Sequence, residues 1–176
     1  SDLVMLRAKL TIAGSNFIFN HINENYNEYL NKEKKLRVIF RGINIDYYNP
    51  KNISVLKQEK LKKEWGLSSN EFTILLPGRL TYWKGQEKFI ESLNVLIEDY
   101  NTINFQAIIL GSDQGRKVYS KKLINLVERY NLNKKVKFIQ HCKEMPLAYS
   151  LSDVVVSASI EPEAFGRVSV EAQSMT

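Results

Sequence analysis

The residues best suited to chemistry lie near the end of the chain, in Glu163-Ala164-Phe165-Gly166-Arg167-Val168-Ser169-Val170-Glu171, after the apolar run Val154-Val155-Val156. The order reads as a buried strand, a short polar loop carrying one carboxylate and a glycine, and a helix from Gly166 to Met175 carrying a second carboxylate. The first backbone N–H groups of such a helix have no partner within it and sit at the positive end of the aligned peptide dipoles. Phosphate or phosphate-sugar oxygens would bind there. Gly166 has no side chain to block their approach. A carboxylate does not help to hold phosphate, so Glu163 and Glu171 need another role. Eight residues of pure helix would span about 12 Å, longer than the spacing of a glycosidase acid/base pair. The separation suits two acceptors gripping hydroxyls on either side of a phosphate, as in a nucleotide sugar. In this nonapeptide alone, a solvated helix glutamate and a plain loop charge would read the same way.

A second group, Gly78-Arg79-Leu80 followed by Lys84-Gly85, places two cations on one strand-to-helix loop. If both face Gly166 across a cleft, they would clamp a diphosphate and stabilise the charge that develops on it as a leaving group. Either cation taken singly is an ordinary surface residue. Their meaning comes from lying at the same sheet edge as the glycine turn.

The elements that must position these groups follow from periodicity. Leu3 to Ala13 reads as a helix end running into a strand. Ser15 caps a helix over Asn16 to Leu30 with Phe17, Ile18, Ile22 and Tyr26 as its apolar stripe, and Leu36 to Phe40 is a strand. Arg41-Gly42-Ile43-Asn44 and Pro50 mark a turn and linker, which places a domain boundary near 49–54. Beyond it the pattern is regular: helix Val55 to Trp65 stopped by Gly66, strand Thr73 to Leu76, helix Lys84 to Tyr100, strand Phe105 to Leu110, helix Val118 to Tyr130, strand Val136 to Ile139, short helix Met145 to Leu151, and strand Val154 to Ala158. Strand then helix, repeated, predicts an α/β fold, a parallel sheet with helices on both faces. Ligands of such sheets bind at the carboxyl ends of the strands, here 77–84, 111–115, 140–143 and 160–166. The chain stops at Thr176 within or just after a helix, which reads as a fragment.

Composition bounds the function. The 176 residues suffice for a sizeable core, and 44% apolar and 11% aromatic content is ordinary for a globular protein. The net charge of +6 is spread over several helices, the usual mark of solvated faces, and attraction to phosphorylated substrates or an anionic lipid surface stays open. No zinc-finger spacing or aromatic RNA-binding signature accompanies it, so nucleic acid is discounted. A single cysteine, Cys142, makes no internal disulfide, and with two histidines it is poor material for a metal site. A reducing, cytoplasmic setting is expected. No apolar run is long enough to span a membrane, although peripheral attachment to its inner face stays open. His21, on a helix, reads as structural, whereas His141, at a strand end, could touch a nucleobase or only solvent.

Taken together, Arg41-Gly42-Ile43, Gly78-Arg79-Leu80 with Lys84-Gly85, Leu110-Gly111-Ser112 and the Glu163 to Glu171 pair resemble the group 1 family of retaining glycosyltransferases. That family has the GT-B fold of two Rossmann-like domains around a cleft. The resemblance implies that residues 1–50 are the tail of the acceptor domain with its linker. Residues 51–176 would be the Rossmann-like nucleotide-sugar-binding half, incomplete at its C-terminus. It further implies that Arg79 and Lys84 hold the donor diphosphate, beside the glycines Gly78 and Gly111. Glu163 would bind hydroxyls of the transferred sugar, and Glu171 the ribose. Backbone amides around Ala164, Phe165, Gly166, Arg167 and Val168 would meet sugar or phosphate, and Gln140, His141 and Cys142 would line the base pocket. Glu163, Arg79 and Lys84 are thereby the catalytic candidates.

The implied reaction is hexosyl transfer, with retention, from a nucleotide-diphosphate sugar to a glycan or lipid-linked acceptor, as in lipopolysaccharide synthesis. It needs no metal or other cofactor, in keeping with the lack of an Asp-x-Asp pair. Asn44 departs from the acidic residue more common in the family, and the fragment alone is expected to be inactive. The alternatives are a GT-B epimerase and a non-catalytic nucleotide-binding domain. A phosphorylase lacks its pyridoxal lysine motif here, and a dehydrogenase its G-x-G-x-x-G.

Overall fold

The structure, a computed structural model, describes residues 8–26, 36–100 and 103–176. It contains two compact units, residues 1–43 with 162–166, and residues 44–161 with 167–176. The chain passes between them at Ile43–Asn44. The segment in which the sequence placed its boundary, 49–54, contains a 3-10 turn at Pro50–Asn52, capped by the Asn49 side chain.

In the first unit, strand β1 (Thr11–Ala13) pairs in parallel with β2 (Leu36–Val38). Helix α1 (Asn16–Asn25) lies between them in sequence, with the Ser15 hydroxyl accepting from the Ile18 N–H at 3.3 Å. Ile18, Phe19, Ile22 and Tyr26 pack around Ala13 and Leu36. Phe17, expected in that stripe, is 50% exposed and stacks on His21, because it lies a full helical step away from the face that Phe19 joins. Strand β2 ends at Val38 rather than Phe40, since β1 offers only three residues to pair with it. The expected helix end at 27–30 and the segment 3–7 lie outside the described residues.

The second unit is built on a parallel sheet in the order β5-β4-β3-β6: β3 (Phe72–Pro77), β4 (Phe105–Leu110), β5 (Val136–Ile139) and β6 (Val154–Val155). Helices α2 (Val55–Glu64), α3 (Gln86–Asp99), α4 (Lys117–Arg129), α5 (Met145–Ser150) and α6 (Arg167–Gln173) complete it. Alternation sets the layers. Ile74 and Leu76 of β3 and Phe105, Ala107 and Ile109 of β4 point to one face, where Phe89, Ile90 and Leu93 of α3 and Leu123 and Val127 of α4 cover them. The intervening residues Leu75 and Ile108 are equally buried on the other face. Each buried Leu, Ile or Phe among them contributes about 1.5–3 kcal/mol of hydrophobic stabilisation. Buried Gln106 is fully matched: its Oε1 accepts from the Ser68 N–H, and its Nε2 donates to the Ser68 carbonyl and the Thr73 hydroxyl.

Two expectations are corrected. The strand read over Val154 to Ala158 pairs only at Val154 and Val155, opposite Ile74 and Leu75. It is the sheet's edge, and Val154 is 42% exposed, so the apolar run is not the buried strand its composition implied. The helix read from Lys84 instead begins at Gln86. Tyr82–Lys84 form a separate 3-10 turn, and Gly85, at φ +71°, turns the chain into α3.

Candidate functional site

All four strands run in parallel, so their carboxyl ends share one edge, and the loops there are packed backbone to backbone. Pro77 lies opposite Leu110, and Leu110 opposite Ile139. The Gly78 N–H donates to the Leu110 carbonyl at 2.8 Å, the Gly111 N–H to the Ile139 carbonyl at 2.8 Å, and the Leu80 N–H to the Ser112 carbonyl at 3.0 Å. A side chain at Gly111 would collide with the Gly78 carbonyl, and one at Gly85 with the Ala158 carbonyl. These two glycines let the loops of β3, β4 and β6 close on each other.

Arg79 and Lys84 stand on that edge. The Lys84 chain folds over Gly78, its methylenes 3.6 Å from where a Gly78 Cβ would be, and its ammonium lies 4.3 Å from the Trp83 ring centroid. The Trp83 carbonyl accepts from the Ile160 N–H at 2.9 Å, which ties this turn to the loop after β6. Arg79 is fixed through its backbone: its carbonyl accepts from Gln86 Nε2 at 2.8 Å.

Glu171 is 6% exposed on α6 and is surrounded by donors. Arg167 Nη2 is 2.7 Å from Oε1, one helical turn away, and the Tyr149 hydroxyl donates to Oε2 at 2.8 Å. The Tyr48 phenol lies beside the same carboxylate. Burial, then the neighbouring Glu171 carboxylate, push Tyr48 up to about 12, and the same causes drive Tyr149 higher still. Both phenols therefore remain protonated donors. Arg167, expected to serve through its backbone amide, also contributes its guanidinium here.

Gln140, His141 and Cys142 follow β5. His141 and Cys142 open onto a cavity of about 480 Å³ that they share with Lys57, Lys60, Leu61 and Glu64 of α2. The Cys142 thiol donates to the Glu144 carbonyl at 3.4 Å, and burial pushes its pKa up, so it is a poor nucleophile. A second, more open hollow of about 690 Å³ lies between the Tyr82–Lys84 turn and the start of α4. Glu163, Ala164, Phe165 and Gly166 belong to the other compact unit. Gly166 adopts φ +72°, immediately before Arg167 and Val168 open α6. Among the described residues no cluster of metal-ligating side chains occurs.

Sequence reasoning missed Gln86, Trp83, Tyr48 and Tyr149. Trp83 adjoins Lys84 and was findable as a cation–π neighbour. The other three meet their partners only through tertiary packing.

The profile of the family described as Glycosyl transferases group 1 matches residues 57–176. The chain belongs to this family. A D-inositol 3-phosphate glycosyltransferase of Corynebacterium glutamicum is 25% identical over 142 residues, covering 80% of this chain and 33% of that protein. An uncharacterised glycosyltransferase of Methanocaldococcus jannaschii is 32% identical over 144 residues, covering 81% and 35%. Among solved structures, a glycosyltransferase from Rickettsia africae superposes with a TM-score of 0.85 at 34% identity, covering 98% of this chain and 44% of that one. HepE of Anabaena, crystallised with UDP and glucose, gives 0.81 at 28% identity, covering 99% and 44%. This group 1 chain thus spans about a third of the length of its curated relatives and under half that of these structural neighbours. Its sheet with helices on both faces is one half of the GT-B fold.

Proposed function

We propose that the chain is the donor-binding half of a retaining glycosyltransferase. It holds a nucleotide-diphosphate sugar which the longer protein transfers, as a hexosyl group, to a glycan or lipid-linked acceptor. The observation that carries this reading is the pair Arg79 and Lys84 on the glycine-closed edge of β3 and β4. As the bond from the anomeric carbon to the diphosphate oxygen breaks, negative charge develops on the diphosphate, and two cations beside it lower the barrier by favouring that charge over the ground state. The group 1 family and HepE, whose crystals hold UDP and glucose, support a nucleotide-sugar ligand. Glu163 is assigned to hydroxyls of the transferred sugar and Glu171 to the ribose. The Arg167 guanidinium and the Tyr149 hydroxyl already orient the Glu171 carboxylate, which leaves acceptor capacity for a further hydroxyl. Gln140, His141 and Cys142 are assigned to the base, and peripheral contact with an anionic membrane fits the net charge of +6.

Calorimetric titration with UDP, ADP and GDP tests the reading. One of them is expected to bind, with Arg79→Ala and Lys84→Ala each weakening it about tenfold or more, the worth of a charge-assisted hydrogen bond. Affinity unchanged in both variants, or no binding of any of the three, overturns it.

A further inference from the structure

Gln86 has no exposed surface, yet it carries a polar amide at the first position of α3. Burying an amide is costly unless both ends are matched, and an apolar residue would fill a plain core position with less penalty. Both ends are matched, and asymmetrically. Nε2 donates to the Arg79 carbonyl at 2.8 Å, and Oε1 accepts from the Tyr119 hydroxyl at 3.3 Å. The reverse amide orientation would set oxygen against the Arg79 carbonyl oxygen, so the network fixes this one. Tyr119 sits on α4, and burial, with the neighbouring Glu87 carboxylate, pushes its phenol up to about 12. It stays a donor at any ordinary pH.

The loop that Gln86 grips is pinned on both sides of Arg79, by the Gly78 N–H on the Leu110 carbonyl and the Leu80 N–H on the Ser112 carbonyl. The Arg79–Leu80 peptide carries the second of those anchors on its own N–H, and Gln86 holds its carbonyl, so the two bonds together fix its tilt. Backbone tilt sets the direction in which a long side chain leaves the loop, and a charge-assisted bond to phosphate is sensitive to that direction.

We propose that Gln86, oriented by Tyr119, is a positioning residue that aims Arg79 at the donor diphosphate. This rests on the donor-binding reading above, with Gln86 acting only through Arg79 because it is wholly buried.

The test is a double-mutant cycle read by calorimetry with UDP, or with ADP or GDP if one of those is the nucleotide that binds. Gln86→Met keeps length and removes both hydrogen bonds, and Tyr119→Phe removes only the outer one. Each is made alone and together with Arg79→Ala. The expected result is a loss of about tenfold for Gln86→Met and about threefold for Tyr119→Phe. Neither loss should persist once Arg79 is Ala, as for residues acting through one another. Losses that add to that of Arg79→Ala, or no loss at all, overturn the proposal while the donor-binding reading stands. Failure of the unsubstituted chain to bind any of the three nucleotides overturns both. Should Gln86→Met not fold, Tyr119→Phe carries the cycle alone, since it deletes one hydroxyl and leaves the ring packing in place.

Discussion

At Gly111 the close approach of two loops is a steric fact that can be measured directly. A methyl group there meets the Gly78 carbonyl, which is backbone and cannot rotate away, so Gly111→Ala should cost about 1–3 kcal/mol of stability. Gly42 has nothing within 4 Å of a built Cβ and makes the control, with a change expected within about 0.5 kcal/mol. Urea midpoints of the two variants decide the matter, and equal midpoints would remove the steric account of the edge. At this scale much was legible. The Gly78-Arg79-Leu80 and Lys84-Gly85 spacing is a local property of the chain, and both cations stand at the strand edge where that spacing put them. The hydrogen bond from Gln86 to Arg79 was not legible, because a glutamine opening a helix looks in sequence like any solvated first-turn residue.

Helices α5 and α6 and the segment around Tyr48 are joined by one carboxylate. Tyr149 and Arg167 bond to Glu171, the Tyr48 phenol lies beside it, and the Ser174 hydroxyl donates to the Tyr48 carbonyl at 2.6 Å. Tyr149→Phe leaves a buried carboxylate one donor short and should destabilise by about 1.5–3 kcal/mol. The same contact sets the alkaline limit. Both phenols have folded-state pKa values above the unfolded value of about 10, so their contribution is complete below about pH 10. It fades as pH rises from there through about 12, where the unfolded chain releases phenolic protons that the folded one keeps. Unfolding curves at about pH 8 and about pH 11 check this: the Tyr149→Phe variant should lose less stability between the two than the parent. A steeper alkaline loss in the variant would contradict it. The elements themselves were largely legible, since the 3.6-residue stripes of α3 and α4 and the apolar runs of β4 and β5 appear where periodicity set them. The strand β6 was overextended, because an apolar run does not say how many rungs a neighbouring strand will offer.

For the whole molecule, the group 1 family and the cationic edge lead to one further expectation about any longer protein that contains this chain. If Arg79 and Lys84 supply the positive charge that meets the departing diphosphate, sugar transfer by that protein should be unaffected by excess EDTA. Loss of transfer on chelation, restored by a divalent ion, would show that the two cations are not sufficient. Sequence alone determined the parallel α/β order, the carboxyl-edge loops and the family, because hydrophobic period, glycine position and motif order are carried by neighbouring residues. Only the tertiary structure decided which groups meet these residues: Gln86, with Tyr119 behind it, at the Arg79 carbonyl, and Tyr149 at the Glu171 carboxylate. Those partners lie on separate elements, and the energy that joins them exists only once burial has removed the water that would otherwise satisfy each one.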